Sequence, residues 1–125
     1  MENRIEYGFQ KLEVWKLARK LVSEIYRITK LFPKEEQFSL SSQLRRAAIS
    51  VPLNIAEGSA RRTKKDFASF IRIAMGSLLE VYTCIEIAND EKYINISDYN
   101  KVKSQIQEIY FKLVSLDKFL TGKNK

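Results

Sequence analysis

The residues of this chain that could do chemistry gather in two clusters, one polar and one cationic. Gln43, Ser50, Asn54 and Glu57 recur along one line of a helix at about 100° per residue, and Ser77 and Glu80 fall on the next helical segment. A carboxylate beside amides and hydroxyls has the parts of a proton donor or acceptor. No nucleophile, metal-ligand cluster or glycine-rich phosphate loop accompanies it. The set therefore also reads as a hydrogen-bonded network that fixes helix register or subunit contacts. The cationic cluster is Arg45, Arg46, Arg61, Arg62, Lys64 and Lys65. Arg45 and Arg46 lie about 100° apart on their helix and cannot serve one contact equally. One suits a carboxylate such as Glu80 of a neighbouring subunit, the other an anion. Arg61, Arg62, Lys64 and Lys65 surround a helix start, where backbone N–H groups and the dipole add to the positive field. That arrangement suits a phosphate backbone and gives affinity without sequence preference. A solvated basic loop would have the same composition.

Composition limits the chemistry further. The 125 residues suffice for one domain with a real core, taken as 1–125. There is no histidine and one cysteine, Cys84. Serine–histidine and cysteine–histidine catalysis are excluded, and a zinc site within one chain has too few ligands. An unpaired cysteine suits a reducing cytoplasm. No stretch approaches the roughly 20 continuous apolar residues of a membrane span, and the first ten residues lack the apolar run of a secretory signal. We therefore expect a cytoplasmic, non-enzymatic protein without cofactor, metal or membrane partner. The net charge of +7 is uneven. Residues 39–79 carry 7 basic and 2 acidic side chains, whereas residues 80–125 carry 7 of each. Such asymmetry suits RNA, DNA or another polyanion. Solubility with intersubunit ion pairs accounts for it equally.

Four helices must position these groups: about 11–31, 39–57, 63–89 and 97–120. In the first, Val14, Leu17, Ala18, Leu21, Ile25 and Ile28 form a core stripe, widened by Trp15, Val22 and Tyr26. Phe32-Pro33 ends it. Residues 2–10 form a lead-in, with Phe9 and Leu12 tucked onto the bundle. The second helix carries two apolar stripes. Leu40, Leu44, Ala47, Val51 and Ile55 make one, and Ile49, Leu53 and Ala56 lie nearly opposite. Ser39 is its expected N-cap and Gly58 its C-cap, with a bend rather than a break at Pro52. Thr63 and Asp66 form a capping box for the third helix. That helix buries Phe67, Phe70, Ile71, Ala74, Leu78, Val81, Tyr82 and Ile85, and turns Ile73, Gly76, Glu80, Thr83 and Ile87 away. Gly76 suggests close approach of another helix. Ser97 is the expected cap of the fourth helix, whose stripe runs from Tyr99 through Val102, Ile106, Ile109, Leu113 and Leu116 to Leu120.

Short connections make this an all-α, antiparallel up-down-up-down bundle. Trp15, Leu53, Ile73 and Phe111 remain after one core is filled. Monomers avoid such surplus, so a homo-oligomer is expected, with Ile49, Leu53, Ala56, Ile73 and Gly76 at the interface.

The pattern Leu40-x-Ser42-Gln43-x-Arg45-Arg46-Ala47, followed by Ser50, Asn54-Ile55-Ala56-Glu57-Gly58 and Arg61, resembles the signature of the bacterial four-helix bundle proteins of 23S rRNA intervening sequences. These were formerly taken for a ribosomal protein. Two further blocks agree: Trp15, Ala18, Leu21, Tyr26 and Phe32-Pro33, then Phe67, Phe70 and Gly76-Ser77-Leu78 with Glu80. The accessory proteins of diversity-generating retroelements resemble the family more distantly. The resemblance implies a homopentameric barrel of bundles without enzyme activity. By the retroelement relatives, it implies association with nucleic acid or with a reverse transcriptase. An oligomeric scaffold without direct nucleic-acid contact stays open beside it.

Overall fold

The structure, a computed structural model, describes residues 12–122. The expected lead-in at 2–10 with Phe9, the start of the first helix at Lys11 and the tail 123–125 lie outside them. Among the described residues four helices form, α1 (Glu13–Thr29), α2 (Leu40–Ser59), α3 (Lys64–Asp90) and α4 (Ile96–Leu120), with a single 3-10 turn at Lys34–Glu36. Each packs on two neighbours, α1 on α2 and α4, α3 on α2 and α4, with the largest pairing between α2 and α3. Short connections force antiparallel neighbours, which gives the expected four-helix bundle.

The core collects one apolar line from each helix. Leu21, Ile25, Ile28, Leu44, Val51, Ile55, Ile71, Leu78, Val81, Ile85, Ile109 and Leu113 are fully enclosed. Ala18, Ala48, Ala68, Ala74 and Ala88 are also buried, and small residues at these positions let helix axes approach. α3 is long and apolar enough, by length and composition, to cross a bilayer. Ile71, Ala74, Leu78, Val81 and Ile85 spend that apolarity on the bundle interior.

The helix ends depart from expectation at three places. Ser39 stands at the N-cap of α2 but makes no capping bond. The carboxylate of Glu36 does that work, accepting from Ser39 Oγ at 2.6 Å and from the Leu40 N–H at 3.3 Å. These bonds hold the Glu36 carboxyl below its usual range. Ser97 lies inside α4, and the true cap is Asn95, whose side chain accepts from the Asp98 N–H at 2.8 Å. Gly58 is no C-cap either. α2 continues to Ser59, and Gly58 is buried where α2 crosses α3. A Cβ built there would stand 2.7 Å from the Phe70 Cβ and 2.9 Å from the Phe67 ring. Only a residue without a side chain allows this approach. Gly76 shows the reverse, because a Cβ there would meet nothing within 4 Å among the described residues, so none of their helices approaches it. Thr63 caps α3 as expected, accepting from the Asp66 N–H at 3.1 Å. α2 also runs unbroken through Pro52. Ser50 Oγ does not relieve the freed Ala48 carbonyl. Its partners are Ser77 Oγ and the Asn54 amide.

Two apolar grooves mark opposite sides of the bundle. One, of about 440 Å³, runs between α1 and α2 and is lined by Trp15, Val22, Ile49, Pro52, Leu53 and Ala56. The other, of about 280 Å³, lies between α3 and α4 against Leu79, Tyr82, Ile106, Tyr110 and Phe111. Leu53 is 54% exposed and Phe111 68%. The second stripe of α2 is thus a surface feature of the single chain.

Candidate nucleic-acid interface

The six cationic candidates divide between two ends of the bundle. Arg61 and Arg62 sit in the α2–α3 connection, and Lys64 and Lys65 begin α3. The Arg61 guanidinium lies 4.4 Å from the centre of the Phe70 ring, and the Lys64 ammonium 5.1 Å from that of Phe119. Cations settle there because a ring face carries negative charge density. Arg62 and Lys65 are exposed. Arg45 and Arg46 lie about 20 Å away along α2. Arg45 is half-buried. Its Nε donates to Thr29 Oγ1 at 2.8 Å and its guanidinium lies 5.0 Å from the Tyr26 ring centre. Within the chain it joins α2 to α1. Arg46 is exposed at the same level.

Folding gathers cationic side chains from three separate parts of the sequence at one end of the bundle. The half of the bundle built from residues 12–20, 50–77 and 108–122 holds 10 basic and 5 acidic side chains. The opposite half, residues 21–49 and 78–107, holds 8 of each. Interactions across helices show that these segments share an end: Arg72 to Asp117 at 3.1 Å, Lys112 to Glu13 at 3.7 Å, and Lys64 to Phe119. The net +5 of the described residues therefore lies wholly in the half that carries the α2–α3 connection.

The polar set falls on the α2–α3 seam. Gln43 Nε2 donates to Glu80 Oε2, Ser50 and Ser77 share a hydrogen bond of 2.8 Å, and Asn54 Nδ2 donates to Ser50 O at 2.8 Å. Glu80 thus has a partner in its own chain. Glu57 is exposed and stands outside the set. With Glu57 outside it, the seam holds hydroxyls, amides and the Glu80 carboxylate, which is engaged by Gln43. Cys84, on the same helix, is buried, and burial pushes its thiol pKa up, away from the reactive thiolate. These hydrogen bonds fix the register of α2 on α3.

One polar cluster escaped the sequence-based expectation. Glu24 is 9% exposed, and its carboxylate receives Arg27 from its own helix and Lys101 of α4 at 3.2 Å. Arg27 reaches on to Asp98 at 2.5 Å. The signal was present, since position 24 lies between Leu21 and Ile28 on the core side of α1. Hydrogen bonding from Arg27 holds the Glu24 pKa below the usual carboxylate range, with Lys101 adding to it against burial. A depressed folded-state pKa gives stability that is complete above the unfolded value of about 4.5 and fades as pH falls through the folded one. Glu24→Gln should cost about 1 kcal/mol at pH 7, since both cations are half-exposed. Most of that difference should vanish in acid. Urea unfolding of both proteins at pH 7 and pH 3 measures it, and a constant difference would show that the charge contributes nothing.

No curated protein matches the chain. Among solved structures, the chain is similar to a crystal structure from Bacteroides thetaiotaomicron, described as a protein of unknown function from the S23 ribosomal protein family. The TM-score is 0.78 at 24% identity, over 84% of this chain and 98% of that one, a likeness of fold. The sequence model of the 23S rRNA-intervening sequence proteins matches residues 10–115, which takes in all of α1 to α3 and most of α4. By that match the chain belongs to the 23S rRNA-intervening sequence protein family.

Proposed function

We propose that this protein is a non-enzymatic, homo-oligomeric helical bundle that binds RNA or DNA through its basic end. The observation that carries it is the segregation of charge: the described residues have a net +5 and all of it lies in one half of the bundle. Assembly multiplies that charge by the number of copies. The two apolar grooves support assembly, because they differ in composition and lie on opposite sides. A contact between unlike faces repeats from copy to copy, and gives a ring when the rotation between copies closes. The count of five subunits follows from the family resemblance alone.

Fluorescence anisotropy with a labelled RNA or DNA at low and high salt tests the proposal. Binding should be tight at low salt and fall steeply as salt rises. Arg62→Ala with Lys65→Ala should weaken it and lower the logarithmic salt slope by about 2, one for each phosphate that goes unneutralised. Arg46→Ala, at the opposite end, should change nothing. An intact assembly that fails to bind at low salt would overturn the proposal. It would leave the scaffold reading, which the exposed Leu53 stripe favours and in which a protein such as a reverse transcriptase is the partner.

A further inference from the structure

The basic end holds more than charge. Phe119 sits at the last turn of α4, 59% exposed, with Lys64 against its ring. Phe70 is half-exposed beneath Arg61. Lys65 and Arg62 neighbour Lys64 and Arg61 in sequence and are exposed. An exposed phenylalanine at the end of a bundle loses hydrophobic stabilisation that a polar residue would not miss. Set among cations, it offers a flat apolar face beside donors for phosphate, the chemistry on which unpaired bases stack. Trp15, under Arg19 at 4.9 Å, belongs to the α1–α2 groove and is left out of this site.

We propose that the basic end takes a single-stranded nucleic acid, with Phe119 stacking an unpaired base and Arg62 and Lys65 holding the flanking phosphates. The inference rests on the nucleic-acid reading above and narrows it. A surface that reads backbone charge alone prefers a duplex, which carries one charge per about 1.7 Å of axis against about 3.4 Å for one strand. A stacking surface reverses that preference, because bases inside a duplex present no free face.

Anisotropy with a labelled single-stranded RNA, the same RNA annealed to its complement, and labelled polyglutamate distinguishes the outcomes. The single strand should bind about ten-fold more tightly than the duplex, and polyglutamate more weakly than either. Phe119→Ala should cost the single strand roughly ten-fold, leave the duplex unchanged and keep the salt slope. Phe119→Trp should restore binding, which separates stacking from a fold defect. If duplex binds as tightly as single strand and Phe119→Ala has no effect, stacking is overturned while the backbone reading survives. If polyglutamate binds as well as RNA, the end is a general polyanion surface and stacking fails. If nothing binds at low salt, the nucleic-acid reading fails with it.

Discussion

Replacing Gly58 by valine should destabilise the protein by about 3 kcal/mol or more, and lower its melting temperature by on the order of 10 °C. The cause is local. A Cβ at position 58 would stand 2.7 Å from the Cβ of Phe70 and 3.2 Å from the Phe67 carbonyl oxygen. Neither atom can swing aside, since one is fixed to the backbone and the other belongs to it. The Phe67 ring, at 2.9 Å, could rotate. Valine adds two methyl groups to that overlap, so the end of α2 must lift from α3. Alanine should cost about 1–2 kcal/mol less, since it adds only the Cβ and gains part of the roughly 1 kcal/mol by which alanine exceeds glycine in a helix. Gly76→Ala is the control. With nothing within 4 Å of its Cβ, it should gain about 0.5–1 kcal/mol in the single chain. Thermal melts of the variants beside the parent settle the order. A Gly58→Val protein as stable as the parent would show that α2 and α3 cross less closely than 2.7 Å at a Cβ implies.

The two glycines show where sequence stops. Both occur in helical stretches beside apolar residues. By pattern, Gly58 reads as a terminator and Gly76 as a contact, whereas within the chain the close contact falls at Gly58 and the Gly76 side is open. Periodicity assigns a residue to a face. It does not give the distance between two helix axes at that residue, because the crossing depends on side chains from both helices. The same limit explains the caps. A serine before an apolar run predicts a cap at positions 39 and 97, but Glu36 and Asn95 reach the free N–H groups first. The four helices themselves were legible because each stripe repeats over at least four turns. The cationic loop was legible from composition. The extra charge contributed by the start of α1 was not, since only folding brings residues 12–20 to the same end as residues 61–65. The intrachain contacts of Arg45 were hidden for the same reason: its partners Thr29 and Tyr26 lie on another helix.

Leu53→Asp should convert the proposed assembly to monomer while the helical circular dichroism stays unchanged. In the single chain Leu53 is 54% exposed, so an aspartate there should cost the chain's own stability only about 1 kcal/mol. In an assembly that closes the α1–α2 groove, the same carboxylate would be buried against Trp15, Ile49 and Ala56. An unpaired charge in such a place costs several kcal/mol at every interface, a factor of more than about a hundred in each dissociation constant. A ring repeats the penalty around its circumference, so a substitution mild in the monomer becomes decisive in the assembly. Leu53→Ala should weaken association less, since it removes area without adding charge. Light scattering across a dilution series, with circular dichroism on the same samples, measures both quantities. The two halves of the proposed function are linked here. A monomeric Leu53→Asp protein keeps the basic end intact but presents only one copy of it. Its affinity for a long RNA should therefore fall with the loss of multivalency, while its binding of a short oligonucleotide persists. An unchanged mass would place the α2 stripe outside any interface and remove the reason to expect that pooling of charge.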